Sequence, residues 1–321
     1  MDSKKANWLF LTLILVDFAV LGFQIFVSLV PGMNFSLSIT AGFLISEGVL
    51  MAPALLFVLF SRNSVIRAGG RGFNDMLGFR KIKISSFFMV ILFTFLIMPM
   101  TTAINAISMI FVDNAVTEIS GDILKTPFVV MLFLIGIYGP FCEEFVFRGV
   151  IFRGYKNSAP VWCSILWSAL LFGLMHMNFN QAAYAIAIGI MFALLVEATG
   201  SLWASAVAHM VFNSEQVCMM YLANGVLKDV FDIGTAEETL TTQTLLSVIG
   251  PYLLVAVVAT SFAVCVLVWL AKNEGREMIF KAAWDSRRQK GGRIVSIPLI
   301  IAIVLCLAYM SLELVLEMLL R

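Results

Sequence analysis

Charge is scarce in this sequence. Only 13% of its 321 residues are Asp, Glu, Lys or Arg, while 61% are hydrophobic. A soluble domain has about 25% charged and about 45–50% apolar residues. The formal net charge is +1, so no bulk electrostatic attraction to nucleic acid is expected. The composition indicates a chain that contacts lipid over much of its surface.

Paired cysteines are also missing. The chain has five cysteines, all within apolar segments and none in a CxxC pair. This spacing argues against a disulfide framework and against a structural zinc site. We therefore interpret these cysteines as small, buried apolar side chains: Cys142, Cys163, Cys218, Cys265 and Cys306.

Long apolar runs take the place of the missing charge. A membrane-spanning helix needs about 20 mostly apolar residues. Nine segments qualify: 8–30, 37–60, 87–112, 126–148, 161–177, 181–199, 201–223, 246–271 and 294–317. The fifth is short and its connection to the sixth is tight, so the sequence predicts an all-α bundle of eight or nine transmembrane helices. We treat residues 1–321 as a single transmembrane domain.

The basic residues predict the orientation of the bundle, because cytoplasmic connections are enriched in Lys and Arg. With a cytoplasmic N-terminus, 18 of the 21 Lys and Arg residues fall on the inner side. They are Lys4, Lys5, Arg62, Arg67, Arg71, Arg80, Lys81, Lys83, Arg148, Arg153, Lys156, Lys272, Arg276, Lys281, Arg287, Arg288, Lys290 and Arg293. The outer connections are acidic, with Asp113, Glu118 and Asp122 in one and Asp229, Asp232, Glu237 and Glu238 in another. The segment Leu77–Lys83 is a candidate for a short basic helix at the membrane surface.

Ionisable residues inside the predicted spans are expensive and usually face a cavity. Asp17, Glu47 and Glu313 have no partner legible from the sequence, and packing, interhelix hydrogen bonds or neutral protonation would explain them. The two histidines of the chain, His176 and His209, both lie in predicted spans. Because both histidines lie in spans, they indicate a function more strongly than a single buried histidine would.

An adjacent pair of glutamates lies in the fourth span. Glu144 and Arg148 are four residues apart, so they share a helix face and can form an ion pair. Glu143 lies about 100° further round the helix and is not held by that arginine. The spacing favours a structural Glu144 and a Glu143 that is free for chemistry. A plain interhelix ion-pair network remains the alternative.

Two more spaced pairs follow in the next spans. Phe172 and His176 share one helix face, and His209 and Asn213 share another. A hairpin turn at 157–160 would bring His176 to the depth of Glu143, if the helix continues beyond residue 148. His209 and Asn213 could donate hydrogen bonds to a developing oxyanion, or they could simply bridge helices.

These residues form the pattern EExxxR (Glu143, Glu144, Arg148), FxxxH (Phe172, His176) and HxxxN (His209, Asn213) on successive spans. Each motif alone is weak, but three in this order are specific. The region 140–213 resembles the CAAX protease and bacteriocin-processing family, also called the type II CAAX prenyl endopeptidase or ABI family.

The resemblance implies a glutamate-dependent intramembrane endopeptidase whose cavity opens to the cytoplasm. Glu143 and His176 would activate the hydrolytic water, and His209 and Asn213 would stabilise the oxyanion. Glu144, Arg148 and Phe172 would support them. The catalytic core would be about 87–223, with 246–321 as additional C-terminal helices. We expect a multi-pass protein of a bacterial cell membrane, with no cofactor and no nucleic acid. Its expected partners are membrane lipids and a peptide or protein substrate, a class that includes lipidated and membrane-bound chains.

Three alternatives stay open. Two histidines and a carboxylate could hold Zn²⁺ with an open position, although no HExxH motif is present. A non-catalytic scaffold or bacteriocin self-immunity protein could keep the same fold. A transporter could also use intramembrane charges along an ion path.

Overall fold

The computed structural model describes residues 2–30, 37–67, 72–112, 115–225, 242–286 and 291–320. Helices and their connecting turns account for this part of the chain, and it contains no strand. The predicted all-α class is confirmed. The acidic segment 229–238, which we assigned to an outer connection, lies outside the described residues.

Twelve helices follow one another along these described ranges, and we number them in chain order. They are α1 (Ser3–Leu29), α2 (Ile39–Arg67), α3 (Phe73–Leu77), α4 (Ile84–Ser108), α5 (Ala115–Leu124), α6 (Phe128–Lys156), α7 (Val161–Met175), α8 (Phe179–Thr199), α9 (Leu202–Asn224), α10 (Thr242–Asn273), α11 (Ile279–Ser286) and α12 (Ile297–Leu320).

Seven helices of the described part are long and apolar enough to cross a membrane: α1, α2, α4, α6, α8, α10 and α12. The chain is an integral membrane protein. The two other predicted spans correspond to α7 and α9. Helix α7 has only 15 residues, and α9 carries the polar side chains of the HxxxN motif. The count of eight or nine spans and the cytoplasmic N-terminus remain predictions.

Helix α6 extends further than the sequence indicated. We expected the fourth span to end at residue 148, but the helix continues to Lys156. Arg148 therefore lies inside it, 1% exposed, and placing this residue with the cytoplasmic basic residues was wrong. Its charge does not need water because the carboxylate of Glu144 lies one turn away, with Nη1 and Oε1 separated by 2.7 Å.

Two stretches of α6 are wound as π-helix, Leu134–Tyr138 and Phe145–Phe152, on either side of the adjacent glutamates. Pro140 lies between them and has no N–H to donate. The carbonyls of Ile135 and Gly136, five and four residues earlier, lose that donor. They accept instead from the Asn213 amide nitrogen at 3.2 Å and the Ser214 hydroxyl at 3.3 Å. These two hydrogen bonds fix the position of α9 along the irregular part of α6.

The expected basic helix over Leu77–Lys83 is not formed. Helix α3 ends at Leu77 because Gly78 adopts φ = 78°, a left-handed conformation that glycine takes without steric cost. The chain then runs extended and caps the next element: the N–H of Leu202 donates to the Gly78 carbonyl at 2.8 Å, and the Ser201 hydroxyl donates to the Arg80 carbonyl.

Helix α6 lies within the core of the bundle, as does the still more buried α8. Helix α6 packs against α1, α2, α7 and α9, whereas α10 lies against α4 and α8, and α12 against α1 and α7. Half of the apolar stretch of α6 and 67% of that of α8 are buried, compared with 28% for α10 and 22% for α12. The C-terminal helices therefore lie at the periphery of the bundle.

Candidate active site

A cavity of about 510 Å³ lies among α1, α2 and α4–α9. Glu143, His176, His209 and Asn213 all line it, although they come from three different helices. The structure thus brings together the four residues that the sequence singled out. Phe172 also lines the cavity, while Glu144 and Arg148 lie behind its wall.

Glu143 presents its carboxylate to the cavity. The side chain is 18% exposed, and its Oε2 has no hydrogen-bond partner among the described residues. The nearest basic atom is Nε2 of His209, at 3.7 Å. This distance is longer than a hydrogen bond, so the carboxylate can still accept a proton from another donor.

Glu144 lies in a fully buried pocket. Its Oε1 accepts from Arg148 Nη1 at 2.7 Å and lies 3.1 Å from Nδ1 of His209. The sequence predicted the first contact from the i,i+4 spacing but not the second, because nothing in the spacing relates α6 to α9. A carboxylate only accepts hydrogen bonds, so Nδ1 of His209 must carry a proton.

Aromatic rings enclose the buried arginine. The guanidinium carbon of Arg148 lies 4.2 Å from the ring centroid of Phe172 and 5.6 Å from that of Phe192. Its Nη2 donates to the Gly189 carbonyl at 3.4 Å. The Phe172 ring also packs against both histidine rings, with centroid separations of 5.0 Å from His176 and 5.8 Å from His209. Phe172 thus connects the arginine to the cavity. The FxxxH motif therefore fits a supporting role for its phenylalanine.

His176 is fixed at the end of α7. Its Nδ1 lies 2.8 Å from the Phe172 carbonyl, which can only accept, so this nitrogen carries the proton and Nε2 stays available. The next residue, Met177, has φ = 54°, a left-handed value that is uncommon for a side chain of this size. That turn stops the helix directly after the histidine.

Helices α7 and α8 approach each other closely beside this turn. A Cβ on Gly189 would lie 2.9 Å from Cα of Ala169, and a Cβ on Gly173 would lie 2.9 Å from the Ala182 carbonyl oxygen. Small residues allow this backbone contact. The close packing holds the His176 turn at a defined place in the cavity wall.

Asn213 lies one turn beyond His209 on α9. Its Nδ2 donates one hydrogen bond to the Ile135 carbonyl. An amide nitrogen has two N–H groups, so the second remains for another acceptor. The contact with α6 orients the amide without using all its donors.

Two further carboxylates line the cavity. Asp17 on α1 and Glu47 on α2 belong to its wall, and the charges of Asp17 and Glu143 act on Glu47. No partner for either residue could be read from the sequence, and the structure places both in the wall of the cavity that contains Glu143. Among the described residues, no three His, Cys, Asp or Glu side chains are grouped as a metal site would require.

Comparisons with known proteins cover the same region. Residues 125–214 match the family model described as type II CAAX prenyl endopeptidase Rce1-like. The "Putative membrane peptidase YdiL" of Bacillus subtilis (strain 168) is 30% identical over 89 residues, which is 28% of this chain and 36% of that protein. The chain thus spans about a third of the curated relative it matches. No solved structure matches it. The resemblance to the type II CAAX prenyl endopeptidase family is confirmed over the segment that contains all three motifs.

Proposed function

We propose that this protein is an intramembrane endopeptidase of a bacterial cell membrane, in which a glutamate and histidines activate water. One observation carries the proposal: Glu143, His176, His209 and Asn213 converge on one cavity while a buried ion pair lies behind them. The match to a membrane-peptidase family over these helices supports the reaction class.

Glu143 is the general base of this proposal. Its side chain lines the cavity and its Oε2 has no hydrogen-bond partner among the described residues, and a carboxylate positioned in this way can act as a general base. It would take a proton from a water that Nε2 of His176 also binds. The resulting hydroxide would attack the scissile carbonyl carbon, and Glu143 would pass the proton to the leaving amine.

His209 and Asn213 stabilise the oxyanion that forms when the scissile carbonyl is attacked. The second N–H of Asn213 is available, and His209 can donate from Nε2 only when both ring nitrogens are protonated, because Nδ1 already faces Glu144. Glu144 therefore orients the His209 ring as well as neutralising Arg148.

The test compares two isosteric changes. Glu143→Gln removes the base but keeps the shape, and loss of a general base typically lowers the rate by about 10²–10⁴-fold. Glu313→Gln changes a carboxylate on α12, outside the cavity, and serves as the matched control. Peptides present in wild-type cells and absent from Glu143→Gln cells would identify substrates for assays with purified protein.

Cleavage that persists in purified Glu143→Gln protein would remove this residue from the mechanism. Retained cleavage in the control and loss in Glu143→Gln, with equal melting temperatures, is the expected result. An unchanged peptidome together with normal folding would favour the non-catalytic scaffold.

A further inference from the structure

The two ends of the bundle are chemically different. At one end, the N–H of Ser3 donates to the Ser158 hydroxyl, and the N–H of Gly292 donates to the Ser158 carbonyl. The backbone of Lys83 donates to Glu274, and Arg276 donates to the Glu197 carbonyl. These contacts bring the N-terminus, the segment after α3, the α6–α7 turn and the segment after α10 to one end, which we call the basic end.

Nearly all described basic residues belong to the basic end. Among the described Lys and Arg residues that follow α4 in the chain, two do not lie at the basic end. They are the buried Arg148 and Lys125, which precedes α6. Those whose side chains the structure describes at the basic end are Lys4, Lys5, Arg80, Lys81, Lys83, Arg153, Lys156, Lys272, Arg276, Lys281 and Arg293.

The opposite end has its own contacts. The Tyr221 hydroxyl oxygen lies 2.7 Å from the Ile123 carbonyl oxygen and 2.6 Å from that of Thr126, and it donates its one hydrogen between them. The Asn180 amide donates to Asn105 and Ser108. The end of α4, helix α5, the start of α6, the start of α8 and the end of α9 therefore meet here, far from the basic connections.

The cavity belongs to this opposite half. Its lining comes from the second half of α4, from the first halves of α2 and α8 and from α9 between His209 and Met220, and α5 contributes Ile119 and Ile123. Its exposed lining residues include Thr102 near the end of α4 and Gln216 near the end of α9. Toward the basic end the cavity is closed by fully buried side chains, including Phe147 and Arg148.

The positive-inside rule assigns the basic end to the cytoplasm. We therefore infer, on the basis of the proposed endopeptidase function, that the cavity admits its substrate from the extracytoplasmic side. The substrate would be an exported or translocated peptide segment, in the outer aqueous phase or the outer leaflet. This differs from the cytoplasmic opening that the family resemblance implied, and it excludes the lipidated C-terminus of a cytoplasmic protein as the direct substrate.

Labelling with a membrane-impermeant maleimide tests the inference. Gln216→Cys places a thiol at the cavity mouth, and Lys281→Cys places the matched thiol on α11 at the basic end, where the side chain is also exposed. The background replaces by alanine the three cysteines that are not buried: Cys163, Cys218 and Cys265. Both variants must label in detergent, which shows that each thiol can react.

In intact cells, Gln216→Cys should label fully and Lys281→Cys should not label until the membrane is permeabilised. The reverse pattern, or labelling of both from one side, would overturn the inference. External labelling of Gln216→Cys should also abolish the Glu143-dependent peptides, and their persistence would contradict this substrate route. If no peptide depends on Glu143, the proposed function fails while the labelling still decides the side to which the cavity opens.

Discussion

The two faces of α6 differ in what their glutamates contact. On the rear face, Glu144 is fully buried and bonded to Arg148 and His209, and rings of Phe172 and Phe192 enclose the arginine. On the cavity face, Glu143 is partly exposed and has an unpartnered oxygen. Both glutamates leave Oε2 without a hydrogen-bond partner among the described residues. The difference between them is that Arg148 and His209 hold Oε1 of Glu144 away from the cavity, whereas the side chain of Glu143 lines the cavity.

The largest effect on stability should come from the rear face. Glu144→Gln leaves Arg148 as a buried unpaired charge, a change that typically costs about 3–5 kcal/mol. We expect a large drop in the melting temperature of the purified protein. Activity per folded molecule should also fall, because His209 loses the carboxylate that orients its ring.

A double variant separates these two consequences. Glu144→Gln with Arg148→Met removes the unpaired charge, so much of the stability should return, while His209 still lacks its partner and activity should stay low. Recovery of both together would show that Glu144 acts only through the arginine. An unchanged melting temperature for the single variant would contradict a buried ion pair.

On the cavity face, Asn213→Ala should reduce kcat with little change in KM, because the negative charge that it meets does not exist in the bound peptide. Loss of one oxyanion donor typically costs about 10²–10³ in kcat. Steady-state kinetics on folded protein measure this, and a normal kcat would exclude the residue from the mechanism.

Asn213→Asp is the accompanying probe, since it keeps the size but places a carboxylate beside the developing negative charge. Its activity should rise as the pH falls and that carboxylate is neutralised, until Glu143 itself becomes protonated. If Asn213 only bridges α9 and α6, activity in both variants would instead follow the folded fraction.

The smallest effect concerns the contact between the two helices. Ser214→Ala removes one hydrogen bond to the Gly136 carbonyl, worth about 0.5–1.5 kcal/mol, with kcat nearly unchanged because Asn213 still orients itself on Ile135. Ser261→Ala on α10 is the control, since that hydroxyl bonds only within its own helix, to Val257. Equal melting temperatures for the two variants would show that the Gly136 carbonyl, which lacks a donor because of Pro140, needs no hydrogen bond from α9.

The sequence predicted the helices well because the thickness of a bilayer sets their length and composition. Every predicted span corresponds to a helix of the described chain. The i,i+4 pairs were also readable, since α-helical geometry fixes which side chains share a face. The roles of the four cavity residues stay predictions, although the structure brings these residues together.

The failures have physical reasons too. Arg148 was placed at a span end because an isolated charge leaves lipid, but an ion pair lets the charge stay inside. The register between helices determines two features that the sequence did not predict. These are the contact between Glu144 and His209, and the positions of Asp17 and Glu47 in the cavity wall. That register is set by Pro140 and the π-helical turns, for which single-sequence periodicity contains no signal.

Helix α7 has a consequence for the supply of water. Its 15 residues span about 22 Å at 1.5 Å per residue, whereas the hydrocarbon core of a bilayer is about 30 Å thick. Its first residue follows the basic end at Lys156, so the shortfall lies at the other end, where His176 turns the chain. The chain at His176 therefore turns within the depth of the bilayer, beside the cavity that this residue lines. Water that enters the cavity from that end of the bundle would reach His176 without crossing the whole membrane.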